Sequence, residues 1–156
     1  MDDKVFMDKV GLSVGIKGKT FGVQGFGNVG EWASKFIHND GGLIEVIVEW
    51  DCAIYKKGGF DINDVIAWKN EHKTLKNYPK VTEVTIDNPM SFMTKKVDVL
   101  IPAAVEKSVN KSNADAIQCK ILAEAANGPT TVAAEDILRK KGVMILPDMI
   151  LNGGGV

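Results

Sequence analysis

Cysteine is scarce in this 156-residue chain: Cys52 and Cys119 are the only two, far apart and in no CxxC pair. That excludes a disulfide framework and a cysteine-based zinc site, and makes a reducing compartment the default. Histidine is as rare. His38 and His72 fall near expected helix ends, with no Ser or Cys at a spacing that suggests a triad. Neither is read as catalytic, and no residue is read as a metal ligand. No apolar run approaches the roughly eighteen residues of a membrane span, and the opening MDDKVFMDKV lacks the apolar segment of a signal peptide. Excess charge is missing too. Nineteen basic residues stand against 20 acidic ones, a net charge of −1, which argues against nucleic acid or an anionic membrane as partner. Internal repeats and low-complexity stretches are also absent.

What is there is a globular composition, 45% hydrophobic and 25% charged, at a length that suits one domain. Glycine is enriched, at 16 residues, and it clusters at 25-27-30, 41-42, 58-59 and 153-154-155. Clustered glycine at the boundary of an element indicates backbone that must approach something closely. The final Asn152-Gly-Gly-Gly-Val156 caps no element, which suggests one domain over 1–156 cut from a longer protein.

Short β-branched runs alternate with helical patterns. Strands are expected at 20–24, 43–49, 81–86, 97–101, 120–123 and 143–146. A helix over 28–39 would bury Val29, Trp32, Ala33, Phe36 and Ile37, spaced i, i+3, i+4, i+7, i+8. Asp61 would cap a second helix through His72, Asn88-Pro89 would start a short one, Ser112 would cap a turn or two, and Thr131 would open the last, closed by Gly142. Such alternation predicts an α/β fold: a doubly wound, three-layer sheet with parallel strands joined by right-handed crossovers. Ligands of such sheets bind beyond the carboxyl ends of the strands, so the loops at 25–30, 49–59, 102–106, 124–130 and 147–155 become site candidates.

Gly25-Phe26-Gly27-Asn28-Val29-Gly30 is G-x-G-x-x-G, placed between an expected strand and an expected helix within a 30-residue βαβ unit. Gly25 would make the tight turn, Gly27 would admit a pyrophosphate to the backbone, and Gly30 would let helix and strand pack closely. Glu49, at the end of the second strand, is placed to accept hydrogen bonds from an adenosine ribose and to repel a 2′-phosphate. NAD is therefore favoured over NADP, although Lys56 and Lys57 could offset that repulsion. Asp51 is a second candidate for the ribose, and Glu45 reads as structural. Among the later loops, Ala103 and Ala104 offer a small-residue floor for a cofactor ring. Asn127 and Asn152 each carry a donor and an acceptor, although asparagine serves as readily in a turn as at a ligand.

The stretches VQGFGNVG (23–30), IPAAVEKSVNKSNA (101–114), AEAANGPTT (123–131) and LPDMILNGGGV (146–156), with the leader FMDKVGLSVGIKGKTF (6–21), resemble in order the cofactor domain of glutamate dehydrogenases, the animal mitochondrial type most of all. The resemblance implies a Rossmann-like, mostly parallel sheet with one strand reversed. It implies NAD or NADP as cofactor and, in the whole enzyme, reversible oxidative deamination of L-glutamate to 2-oxoglutarate and ammonia by hydride transfer. Gly25, Gly27 and Gly30, with the backbone of Phe26, Asn28 and Val29, would hold the pyrophosphate. Glu49 would meet the adenosine ribose, Ala103 and Ala104 would line the groove, and Asn127 and Asn152 would approach the nicotinamide.

The family's catalytic lysine and aspartate lie on a substrate domain whose motifs do not occur in these residues. No catalytic residue is therefore expected here, and the isolated chain should bind cofactor weakly and turn nothing over. A homo-hexamer is implied for the whole enzyme, with most contacts on that other domain. The mitochondrial matrix is the implied compartment, the cytoplasm otherwise. Ala125, Gly153 and Lys56-Lys57-Gly58-Gly59 depart from the family's usual residues. The alternatives are a nucleotide-binding regulatory module without chemistry and a related leucine, valine or phenylalanine dehydrogenase.

Overall fold

A computed structural model describes residues 1–151. Its elements run α1 (Lys4–Lys9), β1 (Thr20–Gln24), α2 (Asn28–Asn39), β2 (Leu43–Val48), β3 (Ala53–Tyr55), α3 (Ile62–His72), β4 (Glu83–Thr85), a 3-10 helix (Pro89–Thr94), β5 (Val99–Pro102), β6 (Ile121–Ala123), α4 (Val132–Lys140), β7 (Met144–Leu146) and α5 (Asp148–Leu151). The seven strands form one sheet in the order β4-β3-β2-β1-β5-β6-β7. β2, β1, β5, β6 and β7 run parallel to one another, and β3 is antiparallel to both β2 and β4.

Alternating side chains divide the core between the two faces, as a pleated strand requires. Val99, Ile101 and Ile121 join Phe21, Val23, Ile47 and Ile54 beneath α2 and α3. Leu100 and Leu122 join Val46, Val48, Phe92 and Leu138 beneath the 3-10 helix and α4. The three layers are thus helices, sheet and helices, the α/β doubly wound architecture expected. Asp61 caps α3 by accepting from Asn63 N–H at 3.1 Å and Asp64 N–H at 3.3 Å, and Thr131 caps α4 through Ala134 N–H at 3.3 Å.

The reversed strand is β3, inside a segment that the sequence suggests is loop. Glu49 N–H donates to Cys52 C=O at 2.8 Å, closing a tight turn that sends the chain back along β2. Only 49–52 therefore lies at the carboxyl edge. Residues 56–60 lie at the amino edge, where Lys56 N–H meets Glu45 C=O at 2.8 Å and Gly58 N–H meets the buried Glu45 carboxylate at 2.8 Å. Around Ser112 there is a run of turns rather than a helix, and Asn110 Oδ1 accepts from Ser112 N–H at 3.0 Å.

The buried face of α2 also differs from expectation. Ile37 is buried as expected, but Gly30 and Ser34 are buried with it, whereas Val29, Trp32 and Phe36 are 51%, 56% and 63% exposed. Sheet contact sets the rotation. A Cβ at Gly30 would lie 1.8 Å from the Gly25 carbonyl oxygen, so this helix approaches β1 on its small-residue side. The aromatic stripe packs on itself outside, with the Trp32 and Phe36 rings 5.9 Å apart and the Lys35 ammonium 5.0 Å from the Trp32 ring.

Candidate functional site

The carboxyl edge is stitched together by the strand-end loops. Gly25 N–H donates to Val48 C=O at 2.7 Å, and Ala103 N–H to Gln24 C=O at 2.7 Å. Ala125 and Ala126 N–H both reach Pro102 C=O at 3.0 Å. Gly128 N–H donates to the Asp148 carboxylate at 2.9 Å, and Asp148 N–H to the buried Glu124 carboxylate at 3.2 Å. Four loops, after β1, β5, β6 and β7, are thereby held side by side.

Each glycine of the fingerprint has its own physical reason. Gly25 has φ +90°, in the region that favours glycine, and a Cβ there would lie 2.5 Å from the Ala104 Cβ. Gly30 is the helix–strand contact already described. Gly27 is different: with an ordinary φ of −87°, an added Cβ would meet nothing within 4 Å. The fold does not need glycine there, but a ligand lying on the backbone does. Gly27 gives α2 no side-chain cap, and the first ladder bond runs from Glu31 N–H to Gly27 C=O at 2.8 Å. The amides of Asn28, Val29 and Gly30 precede it, at the positive end of the helix dipole, where a phosphate is stabilised.

The Phe26 peptide belongs to the protein instead. Its side chain is fully buried in the core. Its N–H donates to Glu49 Oε1 at 2.5 Å, and its carbonyl accepts from the Lys69 ammonium. Glu49 Oε1 also lies 3.1 Å from Lys69 Nζ. The Glu49 carboxylate thus stands against the glycine loop, which puts the fingerprint and the acid at the end of β2 in one place. Lys56 and Lys57 are not near it, because β3 carries them to the opposite edge. Asp51 is held by the Thr74 hydroxyl at 2.7 Å and by Lys76 at 3.7 Å. Trp50, between the two acids, is 87% exposed.

Val29, Ala103, Ala104 and Asn127 line one cavity of about 500 Å³, together with Glu106, Ala125 and Ala126. It begins at the first turn of α2 and ends at the loop after β6, the path a dinucleotide would follow from its phosphates towards its nicotinamide. Glu49 lies outside it, on the other side of β1. Asn152 lies outside the described residues. A larger cavity of about 620 Å³ opens at the amino edge, among Val97, Asp98, Cys119 and Lys141, away from the glycine loop.

Several other residues take roles the sequence did not indicate. Asp98 binds Thr20, accepting from its N–H at 2.9 Å and its hydroxyl at 3.2 Å, and so ties β5 to β1. The Lys141 ammonium donates to the carbonyls of Ala114, Asp115 and Ile117. Cys52 is fully buried. Among the described residues no group of His, Cys, Asp or Glu could hold a metal, and no helix is long and apolar enough to cross a membrane.

Residues 4–156 match the family model described as glutamate/leucine/phenylalanine/valine dehydrogenase. The chain is 40% identical over 150 residues to the mitochondrial glutamate dehydrogenase of Dictyostelium discoideum, a match covering 96% of this chain and 30% of that one. It is 42% identical over 142 residues to the glutamate dehydrogenase of Aeropyrum pernix, covering 91% and 33%. Its fold is similar to that of the Peptoniphilus asaccharolyticus glutamate dehydrogenase, with a TM-score of 0.74 and 30% identity over 97% of this chain and 33% of that one. The hetero-hexameric Thermus thermophilus glutamate dehydrogenase shares the fold with a TM-score of 0.83 at 23% identity, covering 97% and 34%. The chain spans about a third of the length of these relatives.

Proposed function

The chain belongs to the glutamate/leucine/phenylalanine/valine dehydrogenase family, and from that premise we propose that it is the dinucleotide-binding domain of a glutamate dehydrogenase. The observation that carries the reading is Gly27, whose missing side chain serves no contact within the protein. The cofactor, NAD or NADP, supplies the hydride acceptor when bound. The residues here bind and orient it. The amides of Asn28 and Val29 and the bare Gly27 backbone take the pyrophosphate. Gly25 and Gly30 shape the turn beneath it. Glu49 accepts from the adenosine ribose hydroxyls, which favours NAD. Ala103 and Ala104 leave room for a flat ring, and Asn127 and Asn152 meet the carboxamide end.

In this reading the chain holds no catalytic residue. The longer protein, reversibly deaminating L-glutamate to 2-oxoglutarate and ammonia, closes a substrate domain over this one. Closure excludes water and sets the reacting atoms about 3–3.5 Å apart. The names of the relatives support glutamate as substrate; one name supports a hexameric assembly for the longer protein, and one supports a mitochondrial location. Isothermal titration of the chain with NADH tests the core of the reading. Saturable heat supports it, and no heat at millimolar NADH overturns it.

A further inference from the structure

A cavity of about 390 Å³ lies between the 3-10 helix at 89–94 and the run of turns at 111–116, and it shares no residue with the cavity at the glycine loop. Its size is within the range of small-ligand sites. In a chain that is 25% charged, its lining carries no charge: among the described residues no acid, lysine, arginine or histidine reaches it. Asparagine, serine and threonine dominate, and Met90 and Ala116 supply the apolar contact. One hydroxyl is out of balance. Ser108 is only 6% exposed, yet its Oγ has no hydrogen-bond partner among the described residues. A buried hydroxyl is normally paired, because an unpaired one carries the full cost of its lost water.

The walls around it are already fixed. The Asn113 amide donates to Ser108 C=O at 2.8 Å and accepts from Asn110 N–H at 2.9 Å. On either side, Lys107 N–H and Val109 N–H reach Gly128 C=O at 3.0 Å and Pro129 C=O at 2.9 Å. On the 3-10 helix, the Ser91 and Thr94 hydroxyls donate to Asn88 C=O and Ser91 C=O, each at 2.7 Å, which leaves their oxygens able to accept. Asn113 keeps one amide hydrogen to donate, and Ser108 keeps both functions.

We propose that this cavity is a binding site for an uncharged polyol of monosaccharide size. The class follows from the lining. An ion would give up water without meeting an opposite charge, and a purely apolar ligand would strand the polar walls. Each hydroxyl of a sugar both donates and accepts. A ring of them answers the accepting oxygens of Ser91 and Thr94, the amide hydrogen of Asn113 and the orphaned Ser108, while its C–H faces lie against Met90 and Ala116. The proposal goes beyond the cofactor reading and does not rest on it.

The test titrates the whole chain, isotopically labelled, with D-ribose, D-glucose and myo-inositol and follows the backbone amides by NMR. At least one of the three is expected to give saturable shifts centred on Ser91, Ser108, Asn110 and Asn113, with half-saturation below about 20 mM. Ser108→Ala is expected to weaken binding at least about fivefold and to leave the chain folded, since it removes a hydroxyl that the protein itself leaves unpaired. Ala116→Trp fills the cavity from its rim and abolishes binding, which keeps the proposal testable should Ser108→Ala not fold. No saturable shift up to about 100 mM, saturable shifts centred elsewhere, an affinity unmoved by Ser108→Ala to within about twofold, or binding that survives Ala116→Trp overturns the proposal. Saturable shifts of the same amides by inorganic phosphate overturn it too. Neither variant touches the glycine loop, so titration with NADH reports on the cofactor reading separately.

Discussion

Gly30 faces the carbonyl oxygen of Gly25 so closely that a methyl group on its Cα would come within 1.8 Å of that oxygen, whereas Gly27, midway between them, would meet nothing within 4 Å. Two glycines of one motif thus answer to different demands, one internal and one external. Gly30→Ala is expected to destabilise the chain by more than about 3 kcal/mol, because the obstacle is backbone and cannot rotate away. Gly27→Ala is expected to stay within about 1 kcal/mol in urea unfolding and to weaken NADH at least about tenfold. Equal NADH affinity in Gly27→Ala and the unsubstituted chain would remove the main support for a dinucleotide at this loop.

The amino edge of the sheet offers the opposite contrast. Asp98 ties β5 to β1 through two hydrogen bonds from Thr20, far from the glycine loop. Asp98→Ala leaves the Thr20 N–H without its carboxylate partner. The expected loss is about 1–3 kcal/mol of stability, the usual cost of an orphaned donor against a charged acceptor. NADH affinity measured under folding conditions should not change. A large drop in affinity without a drop in stability would show that this edge reaches the site.

These contrasts mark how far the sequence could be read. Six of the seven strands, the three main helices and the caps of α3 and α4 were legible because each follows from a local signal: an apolar run, a helical period, or an Asp or Thr before it. The rotation of α2 was not legible. Its apolar period points to Val29, Trp32, Ala33, Phe36 and Ile37, and of these Ile37 is buried as expected, but the close approach at Gly30 turns Gly30 and Ser34 inward and leaves Val29, Trp32 and Phe36 exposed. β3 was missed because three residues after a tight turn carry almost no period, and its reversal then moved Lys56 and Lys57 to the wrong edge. The glycine loop and Glu49 were found by spacing. Lys69 was not, since nothing in the sequence tells which lysine of a helix faces a loop 43 residues away.

The two thiols are expected to be inert in the folded chain. Burial raises the Cys52 thiol to about 11, with the charges of Asp51 and Glu49 adding to the effect. Burial alone lifts Cys119 to about 12, against a smaller pull downward from a backbone hydrogen bond and Lys141. At pH 8 the thiolate fraction is then on the order of one in a thousand or less. A disulfide reagent such as Ellman's should modify neither cysteine in native buffer and both in denaturant. Prompt release of two equivalents from the native chain would contradict the burial of Cys52, and release of one would contradict the inertness of at least one thiol.

Tyr78 and Asp64 make the stability of the chain depend on pH at both ends. The Tyr78 hydroxyl donates to Asp64 at 2.5 Å, and Lys80 adds a contact at 3.0 Å. The tyrosine's hydrogen bond, and then that of Lys80, hold the Asp64 carboxyl below its ordinary 3.8. Burial, followed by the bond to Asp64, pushes the Tyr78 phenol above its ordinary 10. A carboxyl with a lowered folded value stabilises above its unfolded value and loses that contribution as pH falls through the folded one. A phenol with a raised folded value stabilises below its unfolded value and loses that contribution as pH climbs towards the folded one. Tyr78→Phe keeps the ring against Phe60 and Trp68 and removes only the hydroxyl. Its urea midpoint should therefore fall less steeply than that of the unsubstituted chain below about pH 4, and again less steeply above about pH 10. Parallel curves across both windows would mean that the hydroxyl and the carboxylate are not coupled in the folded chain.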